Sequence, residues 1–147
     1  MGLLDGIDEV FDGSRGPRRR LVLIVDSAHE DRLADLYERV GFIPIGAPTC
    51  HGVTSRIPYQ RFKRIVISHE MKDALWTGTE IIKKVIIPFH RERSGVAGRE
   101  DWFKPTKFIV YAKSKKTGDR MRDLLVGAGL TAKHIPYKEL VRRLEKG

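Results

Sequence analysis

Continuous apolar runs alternate along this chain with stretches whose apolar residues recur every three or four positions. "RLVLIVDS", "RFKRIVISH" and "KFIVYAKS" are runs bounded by charge, as expected of strands buried on both faces. Between the first two, Leu33, Leu36, Tyr37 and Val40 share one helical face that Gly41 should close, and Ser27 with Glu30 has the spacing of a capping box. "FIPIGAP" follows as a short strand, and Pro44 assigns it to a sheet edge. "TCHGVTSRIPYQ" reads as loop, "EMKDALW" as a short helix stopped by Thr77-Gly78, and the β-branched "EIIKKVIIPFH" as a strand. After the third run come a helix "GDRMRDLLVGA", an edge segment "TAKHIPY" and a last helix "ELVRRLEKG".

Two stretches share this grammar. "RLVLIVDSAHEDRLADLYERVGFIPIGAP" and "KFIVYAKSKKTGDRMRDLLVGAGLTAKHIP" each run strand, polar turn, helix, glycine, strand. Internal duplication and ordinary βαβ construction account for the likeness equally well. The fold class expected is α/β: a mixed sheet with helices packed on it, in two βαβ-like halves. Ahead of it, Leu3, Leu4, Ile7, Val10 and Phe11 fall on one helical face with Asp5, Asp8, Glu9 and Asp12 opposite. Residues 1–16 thus form an acidic amphipathic helix and a hinge, residues 17–147 a single α/β domain, and residues 3–11 a surface for a protein partner.

Charge changes the picture. The 147 residues carry 28 Lys and Arg against 19 Asp and Glu, a net +9, and four of the acids lie in the first 14 residues, which hold no Lys or Arg. A body that basic is suited to a polyanion, either nucleic acid or a phosphorylated cofactor, although a solvated Lys/Arg surface has the same composition. The basic residues cluster at Arg18, Arg19 and Arg20, at Arg91, Arg93 and Arg99, and at Lys113, Lys115 and Lys116. In "HRERSGVAGREDWFK", Gly95 and Gly98 would let backbone approach phosphate oxygens, the arginines could bind them, and Trp102 beside Lys104 could stack on a base. No apolar run is long enough to span a bilayer, and one cysteine, Cys50, excludes an internal disulfide and a multi-cysteine metal site. A cytoplasmic, reducing setting is expected, and no metal site.

"LADLYERVGFIPIG", preceded by the strand "RLVLIVD", resembles the C-terminal half of the GNAT acyltransferase superfamily over residues 20–46. There a strand leads into a helix ending A-x-x-L-Y-x-x-x-G-F; Leu36, Tyr37, Gly41 and Phe42 match it. The resemblance implies acetyl-CoA as cofactor and Tyr37 as the acid that protonates the departing thiolate. The family's pyrophosphate loop, Q/R-x-x-G-x-G/A, has its nearest counterpart in "ERSGVA" (92–97), after the tyrosine rather than before it. Arg91, Arg93, Gly95, Gly98 and Arg99 would then lie near the cofactor phosphates.

Other chemistry is thinner. His69-Glu70 reads as a strand-end cap, Cys50-His51 lacks a third orienting residue, and Asp26 ends a buried strand where α/β sites gather acids. Two readings follow. One is a GNAT-like acyltransferase-fold protein, active or degenerate. The other is a non-catalytic basic α/β protein that binds nucleic acid or assembles with partners, such as a small virion or mobile-element accessory protein.

Overall fold

A computed structural model describes residues 20–72, 75–94 and 102–147. The expected N-terminal helix and hinge, with Arg18 and Arg19, lie outside the described residues, as do Gly95, Gly98 and Arg99.

Five strands form one sheet: β1 (Leu21–Val25), β2 (Ile43–Gly46), β3 (Arg64–Ser68), β4 (Lys107–Tyr111) and β5 (Thr131–His134), in the order β2-β1-β3-β4-β5. The α/β architecture is as expected, but all four pairings are parallel, so the sheet is not mixed. Parallel neighbours need crossover connections, and these are helices: α1 (Glu30–Arg39), α2 (Cys50–Arg56), α3 (Gly78–Ile81) running through a π-helical turn (Ile82–Ile86) into α4 (Ile87–Ser94), and α5 (Lys115–Gly127), while α6 (Tyr137–Glu145) follows the last strand.

This requirement overrides local propensity in two places. The segment from β3 to β4 must cross a sheet face, so the β-branched "EIIKKVIIPFH" is helical, not a strand, and buries Ile81, Ile82, Ile86 and Ile87 against the sheet. Thr77 begins that helix rather than stopping one: its hydroxyl accepts from Glu80 N, while the Glu80 carboxylate accepts from Thr77 N. Pro88 cannot donate within the ladder, and the π-helical turn just before it, where Ile87 N reaches Ile82 O, absorbs the disruption. Likewise "TCHGVTSR" contains α2 rather than loop alone.

Alternation along the central strands splits the core into two layers. Leu23, Val25, Ile65, Ile67, Phe108 and Val110 face α2, α3, α4 and α5. Val22, Ile24, Val66 and Ile109 face α1 and α6. The two βαβ-like stretches travel outward in opposite directions, β1 to β2 and β4 to β5. Crossovers of one hand must then place α1 and α5 on opposite faces, as observed. Each helix ends on a positive-φ glycine, Gly41 (φ 93) and Gly129 (φ 90), after which Phe42 N and Leu130 N bond back to Tyr37 O and Leu125 O. Both edge strands are short, and Pro44 sits on β2 as expected.

Candidate functional site

Tyr37 belongs to the core. It is 2% exposed, packs edge-on against Phe42 with centroids 5.3 Å apart, and its hydroxyl finds no hydrogen-bond partner among the described residues. Burial pushes its phenol up to about 12, against a smaller opposite pull from Arg64. Arg91 and Arg93 lie on α4, on the opposite face of the sheet, and the Arg93 guanidinium sits over the rings of Phe89 and Trp102. The acetyl-CoA reading required phenol and arginines in one crevice; the sheet separates them. Tyr37→Phe should therefore leave stability unchanged or raise it by up to about 1 kcal/mol in urea denaturation, because it removes a buried hydroxyl with nothing to bond.

Among the described residues, the proposed polyanion contacts do not converge on one place but fall at opposite ends of the sheet. Trp102 Nε1 donates to Ile57 O, and Arg61 stacks on the same indole, near the strand N-termini. Arg20 covers Phe42. Lys104 is exposed beside Trp102, whereas Lys113, Lys115 and Lys116 lie at the other end of the sheet. There Lys115 pairs with Asp119 at 2.7 Å, and Arg122 contacts Asp119 and Asp123. Elsewhere Arg32 pairs with Glu145, Arg39 with Asp35, and Arg142 and Arg143 with Glu139. These six cations are thus held locally by neighbouring carboxylates rather than gathered into a track. Cys50 is buried in the core, and His69 Nδ1 lies 2.7 Å from Thr79 Oγ1, a local tie.

What does converge lies at the C-terminal ends of β1, β3 and β4. The order β2-β1-β3 reverses direction between β1 and β3, and this switch point leaves a crevice where the outgoing loops diverge. Asp26, the residue after β1, is 0% exposed. Its Oδ1 accepts from Ala28 N (2.8 Å) and His29 N (3.1 Å), which turns the chain into α1. Its Oδ2 lies 2.9 Å from His29 Nδ1 and accepts the hydroxyl hydrogen of Tyr111. A carboxylate only accepts, so Nδ1 carries the hydrogen and His29 keeps Nε2 for other partners.

Register brings these groups together. Tyr111 pairs with Ser68, and Ser68 follows Ile67, the partner of Val25. Tyr111 must therefore reach across β3, two strand spacings or about 10 Å, to meet Asp26, and the small Ser68 leaves the way open. Burial, and then the Asp26 charge, hold the Tyr111 phenol far above its ordinary range. Tyr137, at the start of α6, closes the group: its ring stacks on His29 at 3.8 Å and lies 5.7 Å from Tyr111. Burial raises its phenol too.

The loops are tied to one another. Ser27 Oγ accepts from Lys72 N rather than capping α1, which has no side-chain cap. The Glu70 carboxylate accepts from Lys113 N through both oxygens, at 3.2 and 3.0 Å, and Ser68 Oγ donates to Glu70 O. Together they wall a cleft of about 280 Å³. Of this site the sequence had marked Asp26 by its strand end; His29, Tyr111 and Tyr137 went unmarked. The i, i+3 spacing of Asp26 and His29 was the one local signal. Among the described residues no group of three His, Cys, Asp or Glu could hold a metal ion, and no helix is long and apolar enough to cross a membrane.

No family model matches the chain, and no curated relative does. Solved structures do. The receiver domain of the Francisella response regulator 1452 is 15% identical, with a TM-score of 0.58 over 87% of this chain and 95% of that one. A CheY-like receiver domain protein from Methanospirillum hungatei is 20% identical, with a TM-score of 0.57 over 88% and 98%. A Burkholderia pseudomallei response regulator, 14% identical with a TM-score of 0.61 over 86% and 64%, carries a phosphorylated aspartic acid, a calcium ion and citrate. At these identities the likeness establishes the fold. It overturns the GNAT resemblance, whose helix-Gly-Phe ending is the ordinary close of a βαβ unit, and with it the acyltransferase reading and the nucleic-acid-binding or virion alternative.

Proposed function

We propose that this protein is a receiver-like regulatory domain that works by binding, without phosphorylation of an aspartate at its strand ends. The fold of the similar response regulators supports the first half. The enclosure of Asp26 carries the second. Its carboxylate is the one that follows directly on a strand among the described residues, it is fully buried, and four donors occupy it. Attack on a phosphoryl donor needs an exposed lone pair, and freeing one would strand at least one of those donors. The partner of such a domain is a protein whose docking reads the state of the strand-end loops.

Incubation with acetyl phosphate and Mg²⁺, followed by intact-mass measurement, tests this. The expected result is an unmodified chain. A base-labile phosphoryl adduct that disappears in Asp26→Asn would overturn the reading.

A further inference from the structure

The strand-end cleft has unspent binding capacity. Its acids are already engaged: Asp26 holds four donors, and Glu70 holds the Lys113 amide. Its cations are not. Lys72 and Lys113 are both exposed at the rim, and neither ammonium has an ion pair among the described residues. Ser27 Oγ, an acceptor from Lys72 N, still has its own hydrogen to donate, and His29 has Nε2 beyond the Asp26 contact. The groups left over are therefore mostly donors, and they favour an anion.

The remainder of the wall is carbon. Ala28, Met71, Ala112 and the rings of Tyr111 and Tyr137 line it, and the Tyr111 hydroxyl is turned away toward Asp26. A volume of about 280 Å³ is at the small end of ligand cavities, roughly 300–1,000 Å³. Flat aromatic surfaces select a flat partner. We propose that the cleft binds a small organic anion with a planar apolar body, an aryl carboxylate or aryl phosphate, its charge against Lys72 and Lys113 and its ring beside Tyr137 and Met71. This deepens the reading above by naming what would occupy the site in place of a phosphoryl group on aspartate. Because Tyr137 opens α6, an occupied cleft would also fix the start of that helix.

Titration of the full chain with benzoate and with phenyl phosphate, followed by amide chemical shifts, tests it, with phenol and inorganic phosphate as single-feature controls. Saturable shifts at Ala28, Met71 and Ala112 are expected with one or both aryl anions, and the tighter of the two identifies the head group. Each control should bind at least tenfold more weakly. The double variant Lys72→Ala, Lys113→Ala, which alters only exposed side chains, should keep a dispersed spectrum and lose about tenfold in affinity. Absence of saturation with both anions, phenol binding as well as benzoate, or indifference to the lysine variant would each overturn the proposal. None of these results bears on whether Asp26 accepts a phosphoryl group, which the mass measurement decides separately.

Discussion

Asp26→Ala should cost about 3–5 kcal/mol of stability, read as a fall in the urea midpoint at unchanged slope. The substitution removes little apolar area, so its weight comes from what it leaves behind. Tyr111 would keep a hydroxyl in an interior where it is 3% exposed, Ala28 and His29 would lose the acceptor that turns β1 into α1, and the His29 ring would lose its anchor. A buried donor left without a partner costs about 1–3 kcal/mol, more where the lost acceptor was charged. Tyr111→Phe removes one donor and leaves the carboxylate three others, so about 1–2 kcal/mol is expected there. The two changes share one hydrogen bond, and the double variant should fall short of the sum by at least 0.5 kcal/mol. An Asp26→Ala protein within about 1 kcal/mol of wild type would mean that the network does not hold the strand ends together, and the argument for an occupied, non-phosphorylatable carboxylate would go with it.

This network also marks where sequence reasoning stops. The central strands were legible because a parallel sheet covered on both faces writes each strand as an unbroken apolar run, as in "LVLIV", "RIVIS" and "KFIVY". Helices α1, α5 and α6 were legible from their periodic faces, and the edge position of β2 from Pro44. The α3–α4 segment was not. Its isoleucines prefer strands locally, and only the need to cross from β3 to β4 makes them helical. Tyr37 was ambiguous for another reason: a helical face that buries Leu33 and Leu36 looks the same whether the tyrosine beside them fills a core or lines a cleft. The site itself is assembled by register. Asp26 and Tyr111 are 85 positions apart, and nothing local to either announces the other. Charge misled in the same way, since Arg93 and Lys113 look like one basic half of the chain yet lie at opposite ends of the sheet.

Gly78→Ala should be the most damaging glycine substitution among the described residues, costing about 3 kcal/mol or more, whereas Gly46→Ala should cost about 1 kcal/mol or less. Neither glycine has a left-handed φ, so the contrast rests on space alone. A Cβ at Gly78 would overlap the Ser68 carbonyl oxygen, with the Ser68 carbon at 2.7 Å and Ile67 Cγ2 at 2.9 Å. Those atoms belong to β3, which is paired on both sides, and Gly78 N is itself bonded to His69 O at 2.9 Å, so neither backbone can retreat without breaking a hydrogen bond. A Cβ at Gly46 would overlap only the carboxylate end of Glu30, a flexible side chain that can swing into solvent. Displacement at Ser68 would also reach the cleft, because Ser68 lines it and Tyr111 passes over Ser68 to Asp26. Amide exchange should therefore show the Gly78→Ala loss centred on β3 and on the residues around Asp26, with β2 much less affected. Equal costs at the two glycines would mean that α3 can slide off the end of β3, and the tight seat that places Ser68 beneath Tyr111 would not exist.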